Sequence, residues 1–299
     1  MAFAANRWDT GSTIAPTVAA RLLHAPPVSC KNSGMSLPIA IHGAAGRMGQ
    51  RLIALGHEDA DLTIAAAIES PGHPRIGEDA GDVAGAGNIG CALAADLPTG
   101  VAAVIDFSVP EAAMKILANC VDQKTPIVIA TTGFEDSDQS QIRAASEQIP
   151  VVWAPSMSLA VNIAFKLAAT SAAALKSHSS GVDVEIIERH HRYKEDSPSG
   201  TALKFGQTIT DIMGQTKTAH GREGRPGVRP QDEIAFHAVR TGDNPGEHNI
   251  VFGLLGETLE ITVKATNRDC YALGALSAAK FVAKQPPGLY SMFDVLGLE

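Results

Sequence analysis

The sequence has few cysteines, and none of them belongs to a paired motif. The four are Cys30, Cys91, Cys120 and Cys270, in a chain of 299 residues. A zinc site or a disulfide framework needs cysteines at short or regular spacings, and no Cys-x-x-Cys pair occurs here. Because free thiols persist in a reducing environment, we expect a cytoplasmic protein. The histidines also lack metal-ligand spacing, so we predict no metal.

Excess positive charge and long apolar runs are absent as well. The formal net charge is -8, which gives no basic footprint for a nucleic acid. No apolar run approaches the length of a membrane span. The composition, 45% hydrophobic and 19% charged, is that of an ordinary globular chain long enough for two modest domains. We therefore expect neither a nucleic-acid partner nor a membrane partner.

Residues 1–34 differ from the rest of the chain. They contain a single acidic residue, Asp9, and show no clear period. We predict that they form a disordered extension or a leader, or that the start lies at Met35 instead. An organelle transit peptide is the less favoured alternative. The basic side chains Arg7, Arg21 and Lys31 are what supports it.

The first half of the remaining chain alternates between strand-like and helix-like runs. The predicted strands are residues 38–42, 62–68, 101–106, 126–130 and 151–153, and the predicted helices are residues 48–55, 110–121 and 136–148. Such alternation predicts a parallel sheet with helices on both faces. Loops would then meet at the carboxyl edge of the sheet, where ligands bind in open α/β folds. Three loops qualify besides the first turn, at residues 106–108, 130–134 and 154–158.

The second half has a different pattern. A helix at residues 161–176 and a strand at 182–189 precede a helix at 201–213, a loop at 215–231 and strands at 233–240, 247–253 and 257–265. Grouped strands with few helices predict an α+β domain around a mixed or antiparallel sheet. A helix at 274–284 and a short tail at 290–296 follow. We place a dinucleotide-binding domain at 35–157, a substrate domain at 158–265, and residues 266–299 back on the first domain.

Three glycines follow the first predicted strand. Gly43, Gly46 and Gly49 are spaced as G-x-x-G-x-x-G, and a helical pattern begins at once. A strand, glycine turn and helix allow a backbone to approach a pyrophosphate, although such turns also close ordinary strand–helix joints. Glu69 ends the second strand about 20 residues further on, where a carboxylate holds a ribose hydroxyl. Together these features predict a Rossmann-type nucleotide-binding domain.

The segment at residues 190–202 concentrates reactive side chains. His190, His191 and Lys194 precede a turn, Ser-Gly-Thr at residues 199–201, that opens the predicted helix. Backbone N–H groups at a helix start favour an anion, and a histidine is a suitable proton donor near neutral pH. A proton donor and a cation beside the Ser-Gly-Thr turn suit a small acidic substrate. The alternative is a polar surface loop.

From about Met35 to Leu298 the chain resembles the 4-hydroxy-tetrahydrodipicolinate reductase (dihydrodipicolinate reductase) family. The most specific element is residues 188–202, and residues 43–49, 130–134 and 240–248 support it. The resemblance implies an oxidoreductase of lysine and diaminopimelate biosynthesis. It would transfer a hydride from NADH or NADPH to a cyclic dicarboxylate, giving tetrahydrodipicolinate. It also implies a homotetramer assembled through the second domain, which would then serve substrate binding and oligomerisation.

The resemblance also implies roles for individual residues. His190 matches the catalytic acid and Lys194 the second catalytic cation, while His191, Gly200 and Thr201 match substrate-binding positions. The positions that match nucleotide binding are Gly43, Ala44, Ala45, Gly46, Arg47, Met48, Glu69, Ala130, Thr131, Thr132, Ala154, Pro155, Ser156 and Met157. Whether Lys194 donates a proton or acts by its charge stays open.

Some positions depart from the family pattern or stay ambiguous. Ala130 stands where the family usually has glycine, and Ser156-Met157-Ser158 stands where it commonly has Asn-Phe-Ser. Ser70 follows the ribose acid, where some members have a basic residue, which bears on the choice of cofactor. Supporting and solvated roles are equally open for Glu188 and Asp196, as are support and packing roles for Arg240. We assign Glu247 and His248 structural roles.

Two rival functions remain from the sequence. One is another two-domain NAD(P)-dependent dehydrogenase acting on a small carboxylate. A phosphorylating aldehyde dehydrogenase would need a nucleophilic cysteine, and none lies in the segment at residues 190–202. The other rival is a non-catalytic nucleotide-sensing protein, which would keep the glycine turn but would not need His190 and Lys194 together.

Overall fold

The computed structural model describes residues 36–298, which belong to one compact unit. Two β-sheets organise this unit, one of seven strands and one of five. The extension or leader expected at residues 1–34 lies outside the described residues.

The seven-stranded sheet is parallel throughout. Its strands, numbered along the whole chain, are β1 (Leu37–His42), β2 (Leu62–Ile68), β3 (Leu93–Ala94), β4 (Ala103–Asp106), β5 (Ile127–Ile129), β6 (Pro150–Trp153) and β12 (Gly288–Tyr290). Their order in the sheet is β12-β6-β5-β4-β1-β2-β3. The strands β2 and β3 therefore lie on one side of β1, and the strands from β4 onward lie on its other side. The strand order reverses between β1 and β4. A crevice at such a reversal is the usual ligand position in an open α/β sheet.

Helices cover both faces of this sheet. They are α1 (Arg47–Glu58), α2 (Ala80–Ala84), α3 (Pro110–Gln123), α4 (Asp136–Ser146), α7 (Asp269–Val282) and α8 (Met292–Leu296). On one face, α1 and α7 bury Leu52 and Leu276 against the strands. On the other face, α3 and α4 bury Leu117 and Ile142. Strands covered on both sides become almost continuously apolar, and the centres of β1, β4, β5 and β6 are accordingly buried.

The second sheet is mixed. Its strands are β7 (Asp183–His190), β8 (Lys217–His220), β9 (Glu233–Arg240), β10 (Glu247–Leu254) and β11 (Glu257–Lys264), in the order β11-β10-β7-β9-β8. The strand β10 is antiparallel to β7 and β11, whereas β7, β9 and β8 are parallel. Two helices, α5 (Leu159–Leu175) and α6 (Gly200–Met213), share an apolar core with the sheet. Phe165 and Phe205 meet in this core with ring centroids 4.2 Å apart.

The fold class predicted from the sequence is confirmed, with local corrections. The segment at 215–231 is not all loop, because residues 217–220 form the edge strand β8. The prediction of a short tail at 290–296 is wrong in part, because β12 pairs with β6 and α8 follows it. The pattern also missed α2 and β3, which are only five and two residues long. The predicted domain boundaries stay a prediction.

Within residues 36–298, no helix is both long and apolar enough to cross a membrane. The same residues hold no group of three or more His, Cys, Asp or Glu side chains placed to share a metal ion.

An ion-pair network lies on the face of the second sheet opposite the helices. Glu185 accepts hydrogen bonds from Arg222, from Arg229 at 2.9 Å and from His237 at 2.6 Å. Arg229 also binds Asp183 and the backbone carbonyls of Val184 and Glu233, which attaches the loop before β9 to the sheet. Burial alone would raise the pKa of Glu185, but these three donors outweigh it and lower the pKa to about 2.

We expect Glu185→Gln to destabilise the fold at neutral pH by about 1–3 kcal/mol, the range for hydrogen bonds to a charged group. The pKa of Glu185 in the folded state lies below its ordinary value of 4.5. The stability that it contributes is therefore complete above that value and is lost as the pH falls toward about 2. Urea unfolding at several pH values should show wild type and variant converging below pH 4.5. A constant difference between pH 7 and pH 3 would contradict this, and Glu257→Gln, an exposed change on β11, is the control.

Candidate active site

The carboxyl edge of the parallel sheet is organised around Asp106, the last residue of β4. Its side chain is fully buried. The carboxylate binds His42 Nδ1 at 2.7 Å and accepts hydrogen bonds from the Ser108 hydroxyl and the Thr131 hydroxyl, each at 2.6 Å. The Ser108 N–H donates in turn to Thr131 Oγ1. One carboxylate thus joins the ends of β1, β4 and β5 at the reversal point.

The glycine turn lies beside this cluster, between β1 and α1. Gly43 has a φ of +77°, and a Cβ there would lie 2.7 Å from the carbonyl oxygen of Phe107, so a side chain is excluded on both counts. Gly46 is the N-cap of α1 and supplies no side-chain cap. The N–H groups of the first helical turn therefore have no partner within the helix and are available to an anion.

Glu69 follows β2 and reaches back to this turn. Its Oε2 accepts the N–H of Ala45 at 3.1 Å, and its Oε1 accepts the N–H of Ser70 at 2.9 Å. The carboxylate thus lies beside the turn that begins α1, as the ribose-binding prediction requires. Arg47 is exposed and lines a different cleft of about 630 Å³ that includes Arg51, Asp243 and Arg268.

Two further loops lie at the same edge. The residues 130–132 follow β5, and the residues 154–157 follow β6. The helix α7 fixes the second loop, because Gly274 packs directly on the carbonyl oxygen of Met157 and leaves no space for a Cβ. All three predicted nucleotide segments, together with Glu69, are therefore at the carboxyl edge of the parallel sheet, after β1, β2, β5 and β6.

The second sheet supplies the other half of the site through the end of β7. Side chains alternate along a strand, and Glu188 and His190 both point to the buried face. In the sheet register, His190 lies beside Arg240 of β9, and Glu188 lies opposite His248 of β10. Strand pairing thus brings together four polar side chains from three strands.

Glu188 is the centre of this group. It receives two hydrogen bonds from Arg240, at 2.8 and 2.7 Å, one from His190 Nδ1 at 2.6 Å and one from the N–H of Ser199 at 3.0 Å. The carboxylate is 1% exposed. The supporting role that the sequence left open therefore holds for Glu188, and the solvated role does not. Arg240 likewise supports the site rather than only packing.

The Ser-Gly-Thr turn forms the start of α6. Ser199 is the N-cap, and its Oγ accepts the N–H of Ala202 at 3.2 Å. The same Oγ lies 3.1 Å from His248 Nε2. If the Ser199 hydroxyl donates its hydrogen to His248 Nε2, its oxygen can still accept the N–H of Ala202. His248 thus orients the hydroxyl of the N-cap. This agrees with the structural role predicted for His248.

A cleft of about 440 Å³ joins the two halves, a volume in the range of small-molecule sites. Ten of the predicted site residues line it: Ala130, Thr132, Pro155, Ser156, Met157, His190, His191, Lys194, Gly200 and Thr201. The residues of the glycine turn and Glu69 lie outside it. Thr131 and Ala154 line a neighbouring pocket of about 300 Å³ that shares Thr132 and Pro155 with the cleft.

The charges in the cleft are partly balanced. Lys194 Nζ lies 2.8 Å from Asp196 Oδ1. Burial raises the pKa of Asp196, but the hydrogen bond and charge of Lys194 bring it below its usual value. Burial lowers the pKa of His190, and Glu188 offsets this only in part. Burial also lowers the pKa of His248 to about 4, so this ring is neutral at neutral pH.

Several residues of the cleft were not identified from the sequence. Lys204 lies one helical turn after Thr201 and has no ion-pair partner within residues 36–298. Helical spacing from Thr201 was the signal that could have found it. No local signal marked Phe165, Pro245 or Tyr271, which reach the cleft only through tertiary packing.

Comparison with known proteins identifies the family. Family models described as "Dihydrodipicolinate reductase, N-terminus" and "Dihydrodipicolinate reductase, C-terminus" match residues 37–157 and 160–296. The chain belongs to the dihydrodipicolinate reductase family. This confirms the resemblance seen in the sequence.

Curated relatives and a solved structure agree with that assignment. A 4-hydroxy-tetrahydrodipicolinate reductase of Rhodopirellula baltica is 52% identical over 270 residues, covering 88% of this chain and 96% of the relative. The reductase of Alkalilimnicola ehrlichii is 45% identical over 270 residues, covering 88% of this chain and all of the relative. A dipicolinate-bound dihydrodipicolinate reductase from Paenisporosarcina sp. TG-14 shares the fold. Its TM-score is 0.67 at 22% identity, over 87% of this chain and 99% of that one.

We expect Gly49→Ala to damage the glycine turn. A Cβ at Gly49 would overlap the carbonyl oxygen of Gly43 and lie 2.6 Å from Ala44, so the backbone of the turn must move. The free energy of unfolding should fall by about 1–3 kcal/mol, as for other overpacked sites. Dinucleotide affinity, measured by fluorescence titration, should fall at least about tenfold, or 1.4 kcal/mol. Gly72→Ala, with nothing within 4 Å of its Cβ, should change neither quantity. Unaltered affinity in Gly49→Ala would show that the turn does not carry the nucleotide.

Proposed function

We propose that the protein is an NAD(P)H-dependent reductase that converts 4-hydroxy-tetrahydrodipicolinate to tetrahydrodipicolinate in the diaminopimelate route to lysine. The net reaction adds one hydride and one proton and releases one water. The observation that carries the proposal is the cleft in which the predicted nucleotide loops at residues 130–132 and 154–157 face His190, Lys194 and Thr201. Family membership and the curated relatives support the same activity.

The parallel sheet suits a nicotinamide dinucleotide. The unpartnered N–H groups at the start of α1 fit a pyrophosphate, and Glu69 fits a ribose hydroxyl. When bound, NADH or NADPH supplies the hydride. The loops at residues 130–132 and 154–157 would orient its reactive end toward the cleft, because Ala130, Thr132 and residues 155–157 line that side of it.

The second sheet suits the dicarboxylate substrate. Gly200 and Thr201 would bind one carboxylate at the start of α6, where backbone N–H groups and the Thr201 hydroxyl are available. His191 and Lys194 would bind or neutralise the remaining charge. These side chains act locally, against an overall net charge of -8.

His190 would supply the proton. Its Nδ1 is held by Glu188, so Nε2 is the ring atom that can carry a transferable proton. Burial lowers the pKa of His190 in the free protein. A bound dianion would favour the protonated ring again, so the acid would form where the substrate is present.

The proposal extends to the cellular compartment and the oligomeric state, for which we adopt what is typical of the family. The protein would act in the cytoplasm as a homotetramer. Two apolar side chains on the outer face of the second sheet, Ile187 and Val239, support assembly through that face, and each is about 40% exposed. Sedimentation equilibrium gives the mass that tests the tetramer.

A coupled assay tests the activity. Because the substrate is unstable, it is generated in place from pyruvate and aspartate semialdehyde by the preceding synthase. Consumption of NADH or NADPH must depend on both this protein and the synthase. A nucleotide-sensing protein would bind the dinucleotide without consuming it. A dehydrogenase for another small carboxylate would be inactive here but active with its own substrate.

We expect His190→Gln to lower kcat by about 10²–10⁴, the usual cost of removing a general acid. Dinucleotide affinity should stay near that of the wild type, because His190 lies on the second sheet. The measurements are steady-state kinetics in the coupled assay and a fluorescence titration with NADH. His178→Gln changes an exposed histidine outside the cleft and is the control. If His190→Gln keeps its turnover within a factor of about two, the acid is another group.

We expect NADH to be used at least as well as NADPH. A 2′-phosphate near Glu69 would meet like charge, and Ser70 offers no cation to offset it. Ser70→Arg should therefore shift the ratio of kcat/KM toward NADPH. A wild type that prefers NADPH tenfold, or about 1.4 kcal/mol, would overturn this role of Glu69. An unchanged ratio in Ser70→Arg would show that position 70 does not face the ribose.

A further inference from the structure

The Glu188 carboxylate contacts both the proton donor and the substrate-binding turn. Each of its oxygens accepts two hydrogen bonds. Oε2 binds His190 Nδ1 at 2.6 Å and Arg240 Nη1 at 2.8 Å. Oε1 binds the N–H of Ser199 at 3.0 Å and Arg240 Nη2 at 2.7 Å. The two oxygens therefore face two different functional elements.

Arg240 prevents the carboxylate from rotating. A guanidinium that binds both oxygens in parallel fixes the plane of the carboxylate as well as its position. Arg240 Nη2 also donates to the carbonyl oxygen of Asp196 at 2.6 Å. The arginine thus connects β9 to the loop that carries Lys194 and Asp196.

We propose that Glu188 is a positioning residue that holds His190 and the Ser-Gly-Thr turn as one unit, with Arg240 fixing its orientation. The proton donor and the carboxylate-binding turn then keep a constant separation, as a preorganised site requires. This inference rests on the proposed function, but its first test needs no substrate.

The groups around His190 come from four elements. Glu188 on β7 raises the pKa of His190, whereas burial, Lys194 in the following loop and Arg240 on β9 lower it. His248 on β10 lies with its ring 5.2 Å from the His190 ring. The charges of Glu188 and Arg240 therefore act on the His190 ring in opposite directions.

The first test is an NMR titration of the free full-length protein, with ¹³C-labelled histidine Cε1 and the His190 signal assigned through His190→Gln. We expect Glu188→Gln to lower the pKa of His190, because it removes the carboxylate that raises that pKa. If Glu188→Gln does not fold, Glu188→Asp, whose shorter side chain draws the carboxylate away from His190 Nδ1, should lower the same pKa. An unchanged pKa of His190 overturns the inference.

The second test is kinetic and uses a double variant. Glu188→Gln should lower kcat on the order of 10- to 100-fold, as for a group that orients a functional histidine, and should also raise KM through the Ser199 N–H. In the His190→Gln background the effect on kcat should vanish while the effect on KM persists. An effect of Glu188→Gln on kcat that is equal in both backgrounds overturns the coupling to His190.

Controls separate this inference from folding and from the proposed function. Glu257→Gln makes the same change on an exposed carboxylate of the same sheet and should leave kinetics and titration unchanged. The melting temperature and NADH affinity of each variant show that the fold persists. A wild type without coupled activity refutes the proposed function, whereas a lowered pKa of His190 in Glu188→Gln would still support the positioning role.

Discussion

Two buried carboxylates, Asp106 and Glu188, impose the main constraint on the candidate site. Neither is more than 1% exposed. A charge removed from water is costly unless its oxygens accept hydrogen bonds from well-placed donors. Asp106 obtains its partners from the end of β1 and from the loops after β4 and β5, and Glu188 obtains its partners from two strands and a helix start. Satisfying each carboxylate therefore fixes the backbone segments that surround the cleft.

Each of the two sheets contributes one such centre to the site. Asp106 orders the loops that we assign to the nucleotide, and Glu188 orders the residues that we assign to the substrate. The close contact of Gly274 in α7 with Met157 holds the loop after β6 in place. A hydride and a proton must reach the same small molecule from two sides, and this arrangement gives each side its own rigid support.

Local motifs allowed the reactive side chains to be predicted from the sequence. The side chains that hold them in place could not be predicted, because they meet only through long-range strand pairing. Gly43, Glu69 and the segment at residues 190–202 stand out because neighbouring residues carry their signal. Glu188 and Arg240 lie 52 residues apart, and only the register between β7 and β9 brings them together. No residue near Glu188 in the sequence indicates Arg240 as its partner, so the sequence could not distinguish a supporting role from a solvated one.

The same distinction explains the errors in the predicted elements. The residues 217–220 precede a Gly- and Pro-rich stretch at residues 221–230 and become a strand only because β9 offers an edge. The strand β12 has three residues and depends in the same way on β6. Short edge strands carry little pattern of their own, since their partner supplies the hydrogen bonds.

The pairing of β12 with β6 also has a consequence for biosynthesis. The first six strands of the parallel sheet leave the ribosome long before residues 288–290, because the whole second sheet is encoded between them. Until then the edge of β6 and the face later covered by α7 are open to other chains. Pairing between strands that are far apart in the sequence raises the contact order and slows folding. It also leaves apolar surface exposed in incomplete chains. Nascent chains that stop before α7 should therefore be the species that depends most on chaperones.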